Sequence, residues 1–162
     1  MNIALKYLPK RLTLKDRKKQ LKQLKKSRDA YKKNIYISRK KVNSYKSKKS
    51  KHILKAQKLY NINNIIVNKY LSKKTGCSIK ALNKIVNKGR GAYFSSGSRP
   101  NQSAESWGLA RLASSISGGK AAAVDYNILV TGCTKNSKAL KLAKKAKKIH
   151  GHGTRRVAKI QL

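Results

Sequence analysis

The sequence contains very few acidic residues, and this scarcity is its most informative feature. Of 162 residues only 4 are Asp or Glu, whereas 42 are Lys or Arg, which gives a formal net charge of +38. Like charges at this density repel one another and oppose compaction, so a polyanion or an acidic protein surface is the expected partner. The composition therefore predicts a class of partner, but it does not predict the chemistry.

Tryptophan, phenylalanine and cysteine are also scarce. The chain has one Trp, one Phe and two Cys, and no apolar run approaches the roughly 20 residues that span a bilayer. We therefore predict no membrane span and no membrane contact. Cys77 and Cys133 are too few for a disulfide framework, and they fit a reduced pair as well as a single disulfide.

The basic residues are unevenly distributed along the chain. Residues 1–60 contain 22 basic and 2 acidic residues, residues 61–132 contain 10 and 2, and residues 133–162 contain 10 basic and no acidic residue. The middle segment also contains most of the Gly and the only Trp and Phe. This pattern predicts a basic arm over 1–60, a small central domain over 61–132 and a basic tail over 133–162.

The arm is predicted to be partly helical. Thr13 is a candidate N-cap with Asp16 three residues later, but Arg17 and Arg28 interrupt the apolar stripe that follows. We therefore expect a helix that forms fully only on a partner. The Lys- and Ser-rich stretch 40–51 is interpreted as a flexible phosphate-binding tether, a nuclear-import signal or a solvated linker.

The central segment has clearer helix signals. A short helix is predicted from the N-cap Ser78 to Gly89, and a second one over 103–117 begins at the N-cap Ser103. Between them, residues 89–103 are rich in Gly, Ser and Arg. This loop is either an anion-binding nest beside Arg90 and Arg99 or a loop packed on its own domain.

Three further features complete the pattern. Arg111 is expected to pair with Glu105 or Asp125, and the stretch 120–130 fits a helix as well as a strand. The tail is predicted to form a basic amphipathic helix over 136–148. These elements together predict a mainly α fold: a small central domain of two or three short helices around the loop, with an extended, partly helical basic arm and tail.

No catalytic pattern is found in the sequence. The central segment contains no His, and its two carboxylates have no base or nucleophile at a suitable spacing. Gly118 to Lys120 resemble the end of a phosphate-binding loop, but the remaining positions of that motif do not match. Cys133, His150 and His152 are too few for a structural zinc site. We predict no enzyme, no metal, no cofactor and no small-molecule substrate.

A set of short motifs nevertheless occurs in a distinctive order between Gly76 and Leu129. They are GRGAY, SGSRP, a Trp four residues after Ser103, Ala110-Arg111, GGK and Val124-Asp125. In this order they resemble an uncharacterised domain family of large eukaryotic DNA viruses and some phages. No activity is established for that family, so the resemblance implies only a virus-encoded protein that is packaged in the particle.

Two functions are therefore expected. The first is a non-enzymatic minor capsid or inner-shell protein of a large DNA virus, which contacts acidic neighbours or packaged DNA. The alternative is a core protein that binds and condenses double-stranded DNA without reading its sequence. Either function places the protein in the virion, and in the host cytoplasm or nucleus during assembly, with capsid or core proteins as partners.

The expected site residues fall into two groups. The candidate polyanion-binding residues are Arg90, Arg99, Lys18, Lys19, Lys25, Lys26, Lys40, Lys41, Lys48, Lys49, Lys144, Lys145, Lys147 and Lys148. The candidate docking or structural residues are Tyr93, Ser98, Trp107, Arg111 and Asp125. Shape-specific docking in a shell would depend on the second group, whereas DNA condensation would depend on the lysines.

Overall fold

The computed structural model describes residues 1–152 and 157–161. These residues form eight α-helices, a 3-10 helix and two short strands. In chain order the elements are β1 (Asn2–Ala4), the 3-10 helix (Leu5–Tyr7), α1 (Leu14–Tyr31), α2 (Lys51–Tyr60), α3 (Lys69–Thr75), α4 (Ile79–Ser95), α5 (Ala104–Ile116), α6 (Lys120–Val124), α7 (Tyr126–Gly132), α8 (Lys138–His150) and β2 (Lys159–Gln161). Within this part of the chain, no helix combines the length and the apolar character that crossing a membrane requires.

Polar side chains determine where most of these helices begin. In each case a Ser, Thr or Asn oxygen accepts a hydrogen bond from a backbone N–H of the first turn, which has no partner inside the helix. The predicted caps Thr13, Ser78 and Ser103 are confirmed. The same arrangement starts three further helices at Ser50, Asn68 and Ser137.

The chain divides into two compact units. Unit 1 comprises Met1–Lys48, Arg90–Trp107 and the described residues 157–161, and unit 2 comprises Lys49–Gly89 and the described residues 108–152. Helix α4 contributes residues 79–89 to unit 2 and residues 90–95 to unit 1. Both units are therefore assembled from segments that are distant in the sequence.

Unit 1 is held together by a small apolar core and by strand pairing. Ile3, Leu8 and Leu24 are almost completely buried, and Trp107 packs against their cluster. Strands β1 and β2 pair antiparallel, with Ile3 opposite Ile160. A second cluster joins Leu12, Val42 and Tyr45. The apolar residues of the N-terminal segment are thus covered by residues from later parts of the chain.

Unit 2 has the larger core. Fully buried Leu and Ile side chains of α4, α5 and α7 form its centre, namely Leu82, Ile85, Leu112, Ile116 and Leu129. Helix α8 packs on α6 and α7 through the small side chains of Ala139, Ala143 and Ala146. A disulfide bond joins Cys77 to Cys133, which the sequence had left undecided.

The predicted small core with extended arms is wrong. Residues 1–48 form α1, β1 and most of the core of unit 1, and the basic tail forms α8 of unit 2. The prediction considered only whether each segment has enough apolar residues to form a core by itself. In the structure, the arm buries its few apolar residues against residues 90–107 and β2. The arm also buries polar side chains, such as Gln20 and Ser27, by giving them hydrogen-bond partners.

Two local predictions also require correction. The helix expected to end at Gly89 continues to Ser95, because this glycine has an ordinary helical backbone and lies where α4 approaches Gly108 of α5. The stretch 40–51 is not a free linker, because Val42 and Tyr45 are buried.

The open alternative over 120–130 is resolved as the two short helices α6 and α7. The predicted basic tail helix is confirmed as α8.

Candidate nucleic-acid interface

The first lysine-covered surface lies on α1. The inner side of this helix buries Asp16, Gln20, Leu24 and Ser27. Its outer side presents six exposed lysines, at positions 15, 18, 19, 22, 25 and 26. Lysines three or four residues apart on a helix are neighbours on its surface. The outer side of α1 is therefore a continuous row of positive charge.

The second lysine-covered surface lies on α8. Here the inner side is formed by Ala139, Leu140, Ala143 and Ala146. The exposed lysines are Lys138, Lys141, Lys144, Lys145, Lys147 and Lys148. Two of them have partners inside unit 2, because Lys138 lies over the Tyr60 ring and Lys147 lies 4.2 Å from the centre of the Tyr126 ring. The remaining four are directed to solvent without a protein partner in the described part of the chain.

The four acidic residues do not neutralise these lysines. Asp16 accepts hydrogen bonds from the backbone and hydroxyl of Ser44 at 2.7 and 2.6 Å. Asp29 pairs with Lys32, Glu105 pairs with Arg90, and Asp125 pairs with Arg111 and Lys88. Among the described residues, no carboxylate forms an ion pair with a lysine of the α1 or α8 rows. Asp16 and Asp29 do lie on α1, and the hydrogen bonds from Ser44, together with the charge of Lys19, lower the pKa of Asp16.

An arginine group surrounds the loop after α4. Arg39 donates hydrogen bonds to the Ser27 hydroxyl, the Tyr93 carbonyl and the Ser98 hydroxyl at 2.8–3.0 Å. Its guanidinium stacks on the Tyr93 ring, 3.7 Å from the ring centre. Arg28 donates to the carbonyls of Ser96 and Asn2. No carboxylate takes part in these contacts.

The same arginines influence a buried tyrosine. Burial raises the pKa of the Tyr7 hydroxyl, and the charges of Arg28, Arg39 and Arg99 act against that rise. Burial also lowers the pKa of Arg39, and the nearby positive charge of Arg28 lowers it further. The geometry that groups the three arginines is their attachment to one loop: Arg28 and Arg39 donate hydrogen bonds to Ser96 and Ser98, and Arg99 follows directly in the chain.

The structure distributes the predicted site residues over several environments. Arg90 is engaged by Glu105, whereas Arg99 is exposed. The predicted lysines of α1 and α8 are exposed on their helices, and Lys40, Lys41, Lys48 and Lys49 are also exposed. The Lys41 carbonyl accepts a hydrogen bond from Lys19 at 2.9 Å.

The predicted docking or structural residues all have partners within their own unit. In unit 1, Tyr93 is fully buried under Arg39, Ser98 accepts from Arg39, and Trp107 packs edge-to-face on Tyr7. In unit 2, Arg111 donates two hydrogen bonds to Asp125, at 2.9 and 2.7 Å. These contacts give the five residues structural roles. Their contribution to docking stays a prediction.

Sequence reasoning missed Arg28 and Arg39 as site residues. Arg28 was interpreted only as an interruption of an apolar stripe, and Arg39 was not singled out. The partners of Arg39 lie 12 to 59 residues away in the sequence. No local pattern could therefore have indicated this arginine group.

The described residues offer little chemistry besides charge. They contain no group of three or more His, Cys, Asp or Glu side chains placed to hold a metal ion. A groove of about 250 Å³ in unit 2 is lined by residues between Asn61 and Leu71, including four Asn and the ring of Tyr70. This lining offers amides for hydrogen bonding and an aromatic face, but no side chain that titrates near neutral pH.

Residues 5–129 match the model of a family of unknown function, DUF5824. The match extends well beyond the segment 76–129 that carried the resemblance seen in the sequence, and it includes α1 and the loop after α4. No curated protein and no solved structure matches the chain.

Proposed function

Because the chain belongs to DUF5824, a family of unknown function, we propose a function from its surface chemistry: non-enzymatic binding of double-stranded DNA without sequence readout. The observation that carries this proposal is the pair of lysine rows on α1 and α8, whose lysines form no ion pair with a carboxylate among the described residues. Lysines of this kind contact phosphates and release condensed counterions, whatever the base sequence.

The dimensions of α8 suit this role. A helix of 13 residues is about 20 Å long, and double-stranded DNA carries one negative charge for about every 1.7 Å of its axis. The helix therefore meets several phosphates at once. Since each helix is packed within its own folded unit, the lysines of each are held on one side of that helix, and binding does not require the ordering of a disordered arm.

Charge-removing variants test the proposal. Affinity for a 20-bp duplex is measured by fluorescence anisotropy between 50 and 200 mM salt, for the wild type and for a fourfold α8 variant. This variant carries Lys141→Gln, Lys144→Gln, Lys145→Gln and Lys148→Gln. Each phosphate contact contributes about 0.9 to the slope of log affinity against log salt. We expect the variant to bind more weakly and its slope to fall by up to about 3.6.

A matched control separates the α8 surface from net charge alone. Four exposed lysines of α3 and α4 in the same unit are replaced by Gln, at positions 69, 73, 80 and 84. This control loses the same charge, and we expect its slope to stay closer to that of the wild type. Equal losses in both variants would contradict a role for the α8 face, and salt-independent binding by the wild type would contradict phosphate neutralisation.

A second candidate function is the one implied by the viral resemblance. We propose it as a minor capsid or inner-shell component, with an acidic capsid protein as its neighbour. The supporting observation is an apolar group on unit 1, in which Ile35 and Tyr36 are 52% and 63% exposed and Tyr36 packs on Tyr31 and Phe94. Exposed apolar side chains beside positive charge suit a protein neighbour.

Fractionation of virus particles distinguishes the two functions. Particles are opened, treated with nuclease and separated into shell and core over a salt series, and the protein is quantified by mass spectrometry. Retention in the shell at high salt supports the capsid role. Release together with the DNA supports the DNA-binding role, and absence from particles contradicts the capsid role and leaves a genome-binding or infected-cell role.

A further inference from the structure

The arginine group around the loop after α4 has more hydrogen-bond donors than the protein uses. A guanidinium carries five N–H donors. Arg39 uses three of them on Ser27, Tyr93 and Ser98, and Arg28 uses two on backbone carbonyls. Arg99 has no partner for its guanidinium among the described residues. Donors therefore remain on all three arginines.

No carboxylate of the described residues contacts this arginine group. The acidic side chains in the described part of unit 1 are Asp16, Asp29 and Glu105, and each is engaged by another residue. Arg39 is partly buried and stacked on Tyr93, so water screens its charge less than that of a surface lysine. Several cations near one another in such surroundings repel, and a bound anion relieves that repulsion.

The position of the loop is firmly determined. Gln20 of α1 donates to the carbonyls of Tyr7 and Ser98, and Arg28 holds the carbonyl of Ser96. Gly97 has a φ of +117°, and a side chain there would lie 2.7 Å from Leu24. The arginines that surround this loop therefore keep a defined geometry before any ligand arrives, which reduces the ordering that binding requires.

We propose that Arg28, Arg39 and Arg99 form a site for a single phosphate group. The planar guanidinium matches a phosphate with two parallel hydrogen bonds, and a phosphate has enough oxygens to accept from more than one arginine. In the proposed function, the bound phosphate is one of the DNA backbone. Only the identity of the molecule that carries the phosphate rests on the proposed function; the site itself does not. The site would fix the position of one phosphate, whereas the lysine rows attract DNA diffusely.

A charge-conserving substitution tests the site on duplex DNA. Arg99→Lys keeps the charge but removes the forked donor geometry, and this residue is exposed, so the fold is retained. We expect its affinity for the 20-bp duplex to fall about tenfold, the size of a lost charge-assisted contact. The matched control is Arg11→Lys, the same change at an exposed arginine of unit 1 that lies outside both the lysine rows and the proposed site, and we expect it to stay within about twofold of the wild type.

A second measurement keeps the site testable without DNA. The arginine Nε–H signals of the full chain are followed by NMR during titration with inorganic phosphate and, in parallel, with acetate. We expect saturable shifts of the signals of Arg28, Arg39 and Arg99 with phosphate and smaller shifts with acetate. Equal responses to both anions, or no response of these signals to phosphate, would overturn the proposal.

The two measurements separate failure of the site from failure of the function. If the wild type binds DNA, but Arg99→Lys behaves like Arg11→Lys and phosphate leaves the arginine signals unchanged, the phosphate site is wrong and DNA binding stands. If the wild type does not bind DNA, but phosphate shifts the three arginines, the site stands with free phosphate as its ligand and the proposed function is wrong.

Discussion

The side chain of Asn101 pairs with the backbone of Val42 in both directions. Its Oδ1 accepts from the Val42 N–H at 2.8 Å, and its Nδ2 donates to the Val42 carbonyl at 3.0 Å and to the Tyr45 carbonyl at 2.6 Å. Asn101 has a φ of +62°, a left-handed conformation that Asn tolerates better than most residues. One amide thus holds the Lys- and Ser-rich stretch in place within unit 1.

Replacing this amide by a carboxylate is expected to destabilise the protein. Asn101→Asp keeps the size of the side chain, but it places an oxygen where two carbonyl oxygens now accept from the amide. Each lost hydrogen bond corresponds to about 1 kcal/mol, and the unpaired acceptors add to that, so we expect a loss of about 2–3 kcal/mol in the free energy of unfolding. Urea denaturation measures it.

The control for this substitution is Asn83→Asp. Asn83 is exposed on α4, so the same change of charge there should alter the free energy of unfolding by no more than about 0.5 kcal/mol. If both variants have the same stability, the contacts of Asn101 contribute nothing measurable to the fold.

Two glycines of α4 are expected to respond to alanine in opposite directions. A methyl group at Gly89 would lie 2.6 Å from the Cα of Gly108, whereas one at Gly91 would meet nothing within 4 Å. Gly89→Ala should therefore force α4 away from α5 and destabilise the protein by about 1–3 kcal/mol. Gly91→Ala should stabilise it by about 0.5–1 kcal/mol, because alanine favours the helix.

Thermal unfolding of the two variants checks this pair. A lower melting temperature for Gly89→Ala and a higher one for Gly91→Ala are the expected results. A stabilised Gly89→Ala would mean that the helices adjust without loss, and the close approach would then not explain why this glycine lies inside a helix.

These glycines also show the limit of the sequence analysis. Local signals were sufficient for the caps Thr13, Ser78 and Ser103, because a cap bonds to a backbone N–H two or three residues later. The end of α4 was mispredicted because glycine is typical both of the point where a helix ends and of the point where two helices approach closely. Gly89 is of the second kind, since it lies against Gly108. The arm was mispredicted because Leu24 is buried by partners that are remote in the sequence.

The candidate site also has one part that could be predicted from the sequence and one part that could not. The lysines of α8 could be predicted, because their spacing around Ala139, Ala143 and Ala146 is a local helical pattern. The group around Arg39 could not be predicted, because three chain segments bring it together. Charge content indicates a class of partner, which stays a prediction, whereas only the fold could place Arg28 beside the loop after α4.

The disulfide bond is expected to stabilise the folded protein. Cys77 and Cys133 are separated by 56 residues, and closing a loop of that length in the unfolded chain corresponds to about 4 kcal/mol in the chain-entropy model. Adding a reductant should therefore lower the free energy of unfolding by up to about 4 kcal/mol. Urea denaturation with and without the reductant measures this difference.

A double variant provides the control for the reductant. Cys77→Ser with Cys133→Ser should show the lower stability in both conditions, without a response to reductant. If the wild type does not respond either, the cysteines form no bond in the protein as it is purified, and mass spectrometry after thiol labelling would show two free thiols.

The buried carboxylate of Asp125 leads to a prediction about pH. Burial alone would raise its pKa, but the hydrogen bonds and charge of Arg111, together with Ser115 and Lys88, hold the pKa below its usual value. Asp125→Asn leaves the Arg111 charge without its partner, so we expect a loss of about 3–5 kcal/mol at pH 7. The measurement is urea denaturation over a series of pH values.

The direction of the pH dependence follows from the lowered pKa. Because the folded-state pKa lies below the unfolded-state value of about 4, the contribution of this carboxylate is complete above pH 4 and is lost as the pH falls through the folded-state pKa. The difference between wild type and Asp125→Asn should therefore be constant near neutral pH and narrow below about pH 4. Asp29→Asn is the control, because Asp29 is exposed and pairs only with Lys32 on the surface. A difference that does not narrow in acid would mean that the amide disturbs packing, and that the charge of Asp125 contributes little.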